Sequence, residues 1–247
     1  MISSPTRFAR EMAIAALLIS CGCAARTAPV ASPPAPRAVE RPENIRWVQD
    51  SAEFQAAFEQ VYLAATARVE TEAAARTGRA WGVIADADET LIDNSAYQAE
   101  RAAQGLAFTQ ESWTAWVRRR EAKPLPGAAA FLARVRALGG RIAVVTNRLG
   151  SECADTEAVL QRHALAYDAI LCRPDGTPSD KNPRFEAVAA GRAPGISTPI
   201  DVVAFVGDNI LDFPRLSQGI RAEGPPAFRD FGVRYFILPN PMYGSWQ

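Results

Sequence analysis

The hydrophobic residues of this chain fall into two alternating patterns from position 44 onward. Short apolar runs predict strands that are buried on both faces, over residues 81–85, 141–148, 168–172, 201–206 and 233–238. Apolar residues at helical spacing lie between them, and the first such helix is predicted to start at a capping box, Asp50 to Glu53, and to end near Gly78. This alternation predicts an α/β fold with a doubly wound parallel sheet covered by helices on both faces.

Residues 95–125 are too many for an ordinary connection between a strand and the next helix, so they predict a small, mainly helical cap inserted into the core. Thr109 is placed to cap a helix that carries Trp113 and Trp116 on one face. Tryptophans at this spacing more often pack in a core than contact a ligand.

The chain before residue 44 predicts export rather than a folded element. In residues 1–20, Arg7 and Arg10 precede an apolar run that is too short to cross a bilayer, which is typical of a signal peptide. Residues 21–43 are rich in Ala and Pro without periodicity and predict a semi-rigid tether, leaving 44–247 as the folded domain.

Leu18 to Cys21 resembles the lipobox of bacterial lipoproteins, which implies acylation of Cys21. Gly22 follows it instead of Asp, which implies an outer-membrane anchor with the domain in the periplasm or at the cell surface.

Charge and cysteine usage exclude some functions. The 27 basic and 27 acidic side chains give a formal net charge of zero, which argues against a nucleic-acid polymer as partner. The four cysteines lack the spacing of a zinc site. Cys153 and Cys172 follow neighbouring predicted strands, and an oxidising compartment favours a disulfide between them.

Side chains able to take part in catalysis stand at the ends of three predicted strands and at the start of one helix. They are Asp86, Asp88, Thr146, Asp208 and Asp212, with Lys181 on the helix. A lone Asp-x-Asp is often only a loop or helix cap, but strand ends of a doubly wound sheet converge on one crevice. Adjacent carboxylates repel each other unless a cation lies beside them, and oxygen ligands favour Mg²⁺. The set suits phosphoryl transfer through an aspartyl phosphate.

The order of these motifs resembles the haloacid dehalogenase superfamily. The matching positions are Asp86-x-Asp88-x-Thr90, Thr146, Lys181, and Gly207-Asp208 with Asp212. More narrowly, the chain resembles the class C acid phosphatases, the outer-membrane lipoprotein nucleotidases, through Asp86 to Asn94, Ser112 to Trp116, Pro126 to Ala128, Thr146 to Arg148, Val206 to Asn209, Leu238 to Asn240, Tyr243, Gly244 and Trp246. One departure is Ala87, where the family usually carries a larger apolar residue.

The resemblance implies a role for each matching residue. Asp86 would be the nucleophile and a ligand of one Mg²⁺, with Asp208 as a further ligand. Asp88 would be the general acid and base and would offer its backbone carbonyl to the metal. The remaining implied roles are phosphate binding by Thr146, Asn147 and Lys181, orientation of Lys181 or a metal-bound water by Asp212, and stacking on a nucleobase by Trp113 and Tyr243.

The expected activity is that of a Mg²⁺-dependent acid phosphatase or 5′-nucleotidase acting on nucleoside monophosphates. Two alternatives stay open. An alcohol could replace water as the attacking group, which would make the chain a phosphotransferase. The chain could also be a non-catalytic lipoprotein for ligand uptake or adhesion, although a scaffold has no need of the whole catalytic set. His163, the only histidine, is expected to be structural.

Overall fold

Seven strands and seven α-helices make up the computed structural model over residues 40–247, the part of the chain that the structure describes. The strands are β1 (Trp81–Ala85), β2 (Ile92–Asp93), β3 (Lys123–Pro124), β4 (Arg141–Leu149), β5 (Ala169–Arg173), β6 (Asp201–Gly207) and β7 (Tyr235–Ile237). The helices are α1 (Glu43–Asp50), α2 (Ala52–Ala75), α3 (Ser95–Ala103), α4 (Gln110–Arg119), α5 (Ala128–Ala137), α6 (Cys153–Arg162) and α7 (Asn182–Ala189).

The central sheet has five strands in the order β5-β4-β1-β6-β7, and every neighbouring pair is parallel. Successive residues of β1 pack on opposite faces. Val83 belongs to the apolar cluster that includes residues of α2 and α5, whereas Ile84 belongs to a second cluster with Phe185 and Val188 of α7. Both faces are therefore covered by helices, as strands made of continuous apolar runs require. The predicted fold class is confirmed.

The register of the sheet brings the strand ends to one edge. Ala85 is paired with Val144 of β4 and with Val206 of β6. The backbone N–H of Asp86 extends this ladder by donating to the carbonyl of Val206 at 3.0 Å. Asp86 and Asp208, which follow β1 and β6, therefore lie at the same carboxyl edge of the sheet as Thr146, which stands in the part of β4 that extends beyond its pairing with β1.

The start of the domain differs from the prediction. Ser51, not Asp50, is the N-cap of α2, and its side chain accepts a hydrogen bond from the N–H of Phe54. The predicted capping box is wrong by one residue because Asp50 ends a helix of its own, α1, which buries Ile45 and Val48. The last residue of the predicted tether, Glu43, is the first residue of α1.

The segment between β1 and α5 contains α3, α4 and a small hairpin. β2 pairs antiparallel with β3, so the two ends of this segment lie side by side. Thr109 caps α4 by accepting from the N–H of Ser112, and α4 buries Trp116 and Val117. These helices stand over the carboxyl edge of the sheet and form what we call the cap.

Cys153, the first residue of α6, is bonded to Cys172 of β5, with 5.9 Å between their Cα atoms. The expected disulfide is thus confirmed. Within residues 40–247, no helix has the length and apolar character needed to cross a membrane. The predicted signal peptide, most of the tether and the acylation site at Cys21 lie outside the described residues.

Candidate active site

A cavity of about 720 Å³ opens at the carboxyl edge of the sheet, beneath the cap. Its volume falls within the range of small-molecule sites. Its lining includes Asp86, Asp88, Trp113, Asn147, Lys181, Asp208, Asp212 and Tyr243. Of the site residues predicted within 40–247, only Thr146 is absent from that lining. Thr146 is fully buried, and its hydroxyl accepts a hydrogen bond from the N–H of Arg148 at 3.1 Å.

Lys181 joins two of the predicted aspartates at the base of the cavity. Its ammonium donates to Oδ1 of Asp86 at 2.5 Å and to Oδ1 of Asp212 at 2.6 Å, and all three side chains are buried. Burial disfavours the charged form of the lysine, but the charges and hydrogen bonds of Asp212 and Asp86 outweigh this effect and raise the pKa of Lys181. Lys181 is therefore held as a cation between the two carboxylates. Asp212 contacts it directly, as the predicted role of orienting Lys181 requires.

Three carboxylates form a cluster that suits a divalent cation. Oxygens of Asp86, Asp208 and Asp212 all lie within 4.8 Å of one another. Burial raises the pKa of Asp86 to about 7, with Asp212 and Asp88 adding to this effect and Lys181 opposing it. Burial, followed by the charges of Asp212 and Asp86, also raises the pKa of Asp208 well above its usual range. A group of hard oxygen donors with surplus negative charge fits Mg²⁺ or a similar ion. The adjacent carboxylates of Asp86 and Asp88 were expected to lie beside one cation together with Asp208, but the side chain of Asp88 is not part of this cluster. That the backbone carbonyl of Asp88 reaches a metal stays a prediction.

The carboxylate of Asp88 is instead fixed by an arginine that the sequence did not single out. Arg148 donates from Nε to Oδ1 and Oδ2 of Asp88, at 3.0 and 3.1 Å, and from Nη2 to Oδ1 at 2.7 Å. Asn94 adds a donor to Oδ1 at 2.9 Å, and Trp116 of the cap donates to the oxygen of Asn94 at 2.8 Å. Arg148 is only 2% exposed. A buried bidentate pair of this kind holds a carboxylate in one orientation. The only signal in the sequence was the position of Arg148 in the stretch Thr146 to Arg148.

Glu152 fastens the cap to the core beside the cavity. Its Oε1 accepts from Gln110 at 3.1 Å and from Thr114 at 2.6 Å, both on α4, and its Oε2 accepts from the N–H of Leu149 at 2.9 Å. Glu152 is almost fully buried. No sequence pattern marked it, because its partners are 38 and 42 residues away.

Trp113 of α4 and Tyr243, in the segment after β7, both line the cavity. Trp113 also packs edge-on against Tyr97, with 5.2 Å between ring centroids, and the guanidinium of Arg148 lies 5.4 Å from its ring centroid. The tryptophan thus packs the cap and lines the cavity at once. His163 lies elsewhere, with Nε2 3.1 Å from the carbonyl oxygen of Ala122.

The fold and this centre of aspartates and one lysine define a phosphatase of the haloacid dehalogenase type. The chain is similar to the class C acid phosphatase from Bacillus anthracis, at 28% identity and a TM-score of 0.72, over 82% of this chain and 84% of that one. The tungstate-bound crystal structure of class C acid phosphatase from the same organism matches at 28% identity and a TM-score of 0.71 over the same shares.

A family model matches residues 14–246, and the chain belongs to that family, subfamily IIIB (acid phosphatase) of the HAD superfamily. The expected resemblance is confirmed. The chain is therefore a phosphoric monoester hydrolase, which sets aside the alternative of a non-catalytic scaffold.

Removing the divalent metal is expected to lower the melting temperature. A ligand that binds only the folded state stabilises it by about 2.7 kcal/mol at 100 times its Kd. For a domain of this size that corresponds to roughly 5–10 °C. Because the pKa of Asp86 is raised to about 7, the metal-free folded chain binds more protons than the unfolded chain between about pH 4 and about pH 7. Its stability therefore falls as pH rises through that window, while metal binding strengthens.

Thermal melts with EDTA and with Mg²⁺, at about pH 5 and about pH 8, measure both effects. The stabilisation by Mg²⁺ should be larger at the higher pH. Equal melting temperatures with and without metal at both pH values would show that the carboxylate cluster holds no cation.

Proposed function

We propose that this chain is a Mg²⁺-dependent 5′-nucleotidase that hydrolyses nucleoside monophosphates through a phosphate ester of Asp86. The observation that carries this proposal is the pair of aspartates after β1, which are held in different ways. Asp86 is bonded to Lys181 at the base of the cavity, and Asp88 is clamped by Arg148 at its side. Asp86 lies beside Lys181 and in the carboxylate cluster that suits a cation, where it would attack phosphorus, and Asp88 is held at the side of the cavity, where it would exchange a proton with the ester oxygen.

In the first step, a carboxylate oxygen of Asp86 attacks phosphorus while the bond from phosphorus to the ester oxygen breaks. Asp88 gives its proton to the departing oxygen. In the second step, water attacks the phosphorus of the aspartyl phosphate and passes a proton to Asp88, and the bond to the Asp86 oxygen breaks. Free phosphate leaves, and both aspartates return to their initial states.

Charge stabilisation is the main demand of phosphoryl transfer, and the lining of the cavity supplies it. Lys181 and Asn147 would bind the phosphate oxygens. Binding of tungstate, another tetrahedral oxyanion, by the Bacillus anthracis phosphatase supports such a site. The contact of Thr146 with phosphate stays a prediction, since its hydroxyl accepts from Arg148 here. Mg²⁺ held by Asp86, Asp208 and the carbonyl of Asp88 would offset negative charge on the phosphate.

Phosphate release from a panel of monoesters tests the proposal. Nucleoside monophosphates should be cleaved faster than glycerol phosphate, and EDTA should stop both reactions. Release that is indifferent to EDTA would contradict the metal requirement. Equal specificity constants for nucleotides and glycerol phosphate would remove the nucleotidase assignment while leaving a phosphatase.

A Trp113→Ala variant is expected to lose nucleotide specificity. Stacking of a base on an aromatic ring contributes about 1–3 kcal/mol, so the specificity constant for a nucleoside monophosphate should fall roughly 5- to 150-fold. Glycerol phosphate has no ring to stack and should lose little. Steady-state kinetics on both substrates give the comparison.

Tyr243 offers the matched control for this experiment. Tyr243→Phe keeps a ring at the cavity wall and should keep the preference for nucleotides, whereas Tyr243→Ala should lose it. If Trp113→Ala weakened both substrates equally, the packing of Trp113 against Tyr97 would explain the loss instead.

The lipid anchor at Cys21 and the outer-membrane location belong to the same proposal, and they rest on the residues from Leu18 to Gly22. Several acyl chains on one cysteine would hold the domain firmly, where one chain binds only marginally. Fractionation of cells that express the natural chain or Cys21→Ser tests it. Recovery of both forms in the membrane fraction would contradict an anchor at this cysteine.

A further inference from the structure

Arg173 is the last residue of β5 and lines the wall of the active-site cavity, away from the aspartates. The sheet order places β5 two strands from β1. Neighbouring strands are about 4.8 Å apart, so the backbone of Arg173 lies roughly 10 Å from the strand that carries Asp86. Its main chain is held in place, because Cys172 before it is in the disulfide and Arg173 itself is in register with Leu149 of β4.

The charge of Arg173 has no protein partner within the described part of the chain. Its Nε is buried and makes no hydrogen bond there. The cavity's other two cations are both used, Arg148 by Asp88 and Lys181 by Asp86 and Asp212. A buried guanidinium nitrogen without an acceptor costs free energy, and an anionic ligand would supply the acceptor.

A second arginine makes this wall more electropositive. Arg184 of α7 donates to the side-chain oxygen of Asn147, which lines the cavity. Burial lowers the pKa of Arg184, and the charge of Arg173 lowers it further against the opposing effect of Asp86. The two cations are therefore close enough to repel each other. Asp175 is an exposed residue whose carboxylate accepts from the N–H of Ser151 at 3.2 Å. Hydrogen bonds from Ser151, with a smaller effect of the charge of Arg173, lower the pKa of Asp175, but the two side chains form no ion pair or hydrogen bond within residues 40–247.

We propose that Arg173 binds a second anionic group of the substrate, a phosphate or a carboxylate separate from the phosphate that is cleaved. The enzyme would then prefer phosphate monoesters that carry this additional charge. The guanidinium suits either group, because its planar donors match the oxygens of both. This inference rests on the proposed monoesterase function and specifies its substrate class.

The test compares substrates that differ only by the second charge. Specificity constants are measured for adenosine 5′-monophosphate against adenosine 3′,5′-bisphosphate, and for glycerol phosphate against 3-phosphoglycerate. In Arg173→Gln the preference for the doubly anionic member of a pair should fall by roughly 10-fold or more, as expected for a lost charge-assisted hydrogen bond. The pair that responds tells phosphate from carboxylate.

Two further variants make the result specific. Arg173→Lys keeps the charge but not the planar arrangement of donors, and it should retain part of the preference. Arg118→Gln removes the same charge from an exposed position of the cap outside the cavity and should leave the preference unchanged. Thermal melts establish that each variant is folded. If Arg173→Gln does not fold, the test rests on the wild-type enzyme. Its preference for the doubly anionic member of a pair should be present and should weaken as KCl is raised.

Several outcomes would overturn the inference. Equal losses on both members of a pair would mean that Arg173 binds the cleaved phosphate itself. An unchanged preference, or a wild-type enzyme without one, would mean that no second anion is bound there. If wild type cleaves none of the four substrates, the proposed function fails and this inference fails with it, whereas cleavage with an unaffected preference removes the inference alone.

Discussion

Asp86→Asn is expected to abolish phosphate release while leaving the chain folded. The amide has nearly the same shape as the carboxylate but cannot form the phosphate ester, so turnover should fall about 10⁴-fold or more. The fold should not suffer, because Lys181 keeps its bond to Asp212. Removing one charge from the cluster of three carboxylates should even raise the melting temperature in EDTA, since it relieves their mutual repulsion.

Asp93→Asn is the matched control. Asp93 is the last residue of β2, a short way along the chain from Asp86, and it does not line the cavity. Its carboxylate accepts from the N–H of Ser95, which an asparagine oxygen can also do. This variant should keep near wild-type kinetics. Initial rates and thermal melts with Mg²⁺ and with EDTA give both comparisons. Turnover by Asp86→Asn close to that of the control would refute the aspartyl phosphate.

The central strands β1, β4 and β6 are predictable because most of their residues are buried, on both faces of the sheet, and therefore appear as apolar runs. Errors occur where burial is incomplete. The last strand was predicted from residue 233 but begins at Tyr235, since Val233 is half exposed and its N–H bonds back to Asp230 in a turn. Helix α1 was missed because it has only eight residues and buries only Ile45 and Val48.

The aspartates of the site were predictable because acidic residues directly after buried strands are chemically conspicuous. Arg148, Glu152 and Arg173 were not, because their roles come from contacts across the fold. Arg148 meets Asp88 over 60 residues of sequence, and an arginine at a strand end has no distinguishing pattern. The cap contacts of Glu152 arise in the same way, since they exist only once α4 is folded over the sheet.

Asp88→Asn is expected to slow hydrolysis by about 10²- to 10⁴-fold, because an amide cannot give a proton to the departing oxygen. The same change should lower stability. Arg148 stays charged in spite of its burial, because Asp88 raises its pKa, and the side chain of Arg148 is only 1% exposed. Loss of one partner from a fully buried ion pair costs about 3–5 kcal/mol, but the Asp88 side chain is 17% exposed. The loss here should therefore be about 1–3 kcal/mol.

The double variant Asp88→Asn/Arg148→Met separates these two effects. Replacing the buried charge by an apolar side chain should recover most of the lost stability, while hydrolysis stays slow because the proton donor is still missing. The ester used as substrate gives a second check. 4-Nitrophenyl phosphate releases a stable anion that needs no proton, so Asp88→Asn should slow its cleavage far less than that of a nucleoside monophosphate. Equal losses on the two esters would mean that Asp88 is not the acid. Recovery of activity in the double variant would mean that Arg148 without its partner, and not the missing proton, had slowed the enzyme.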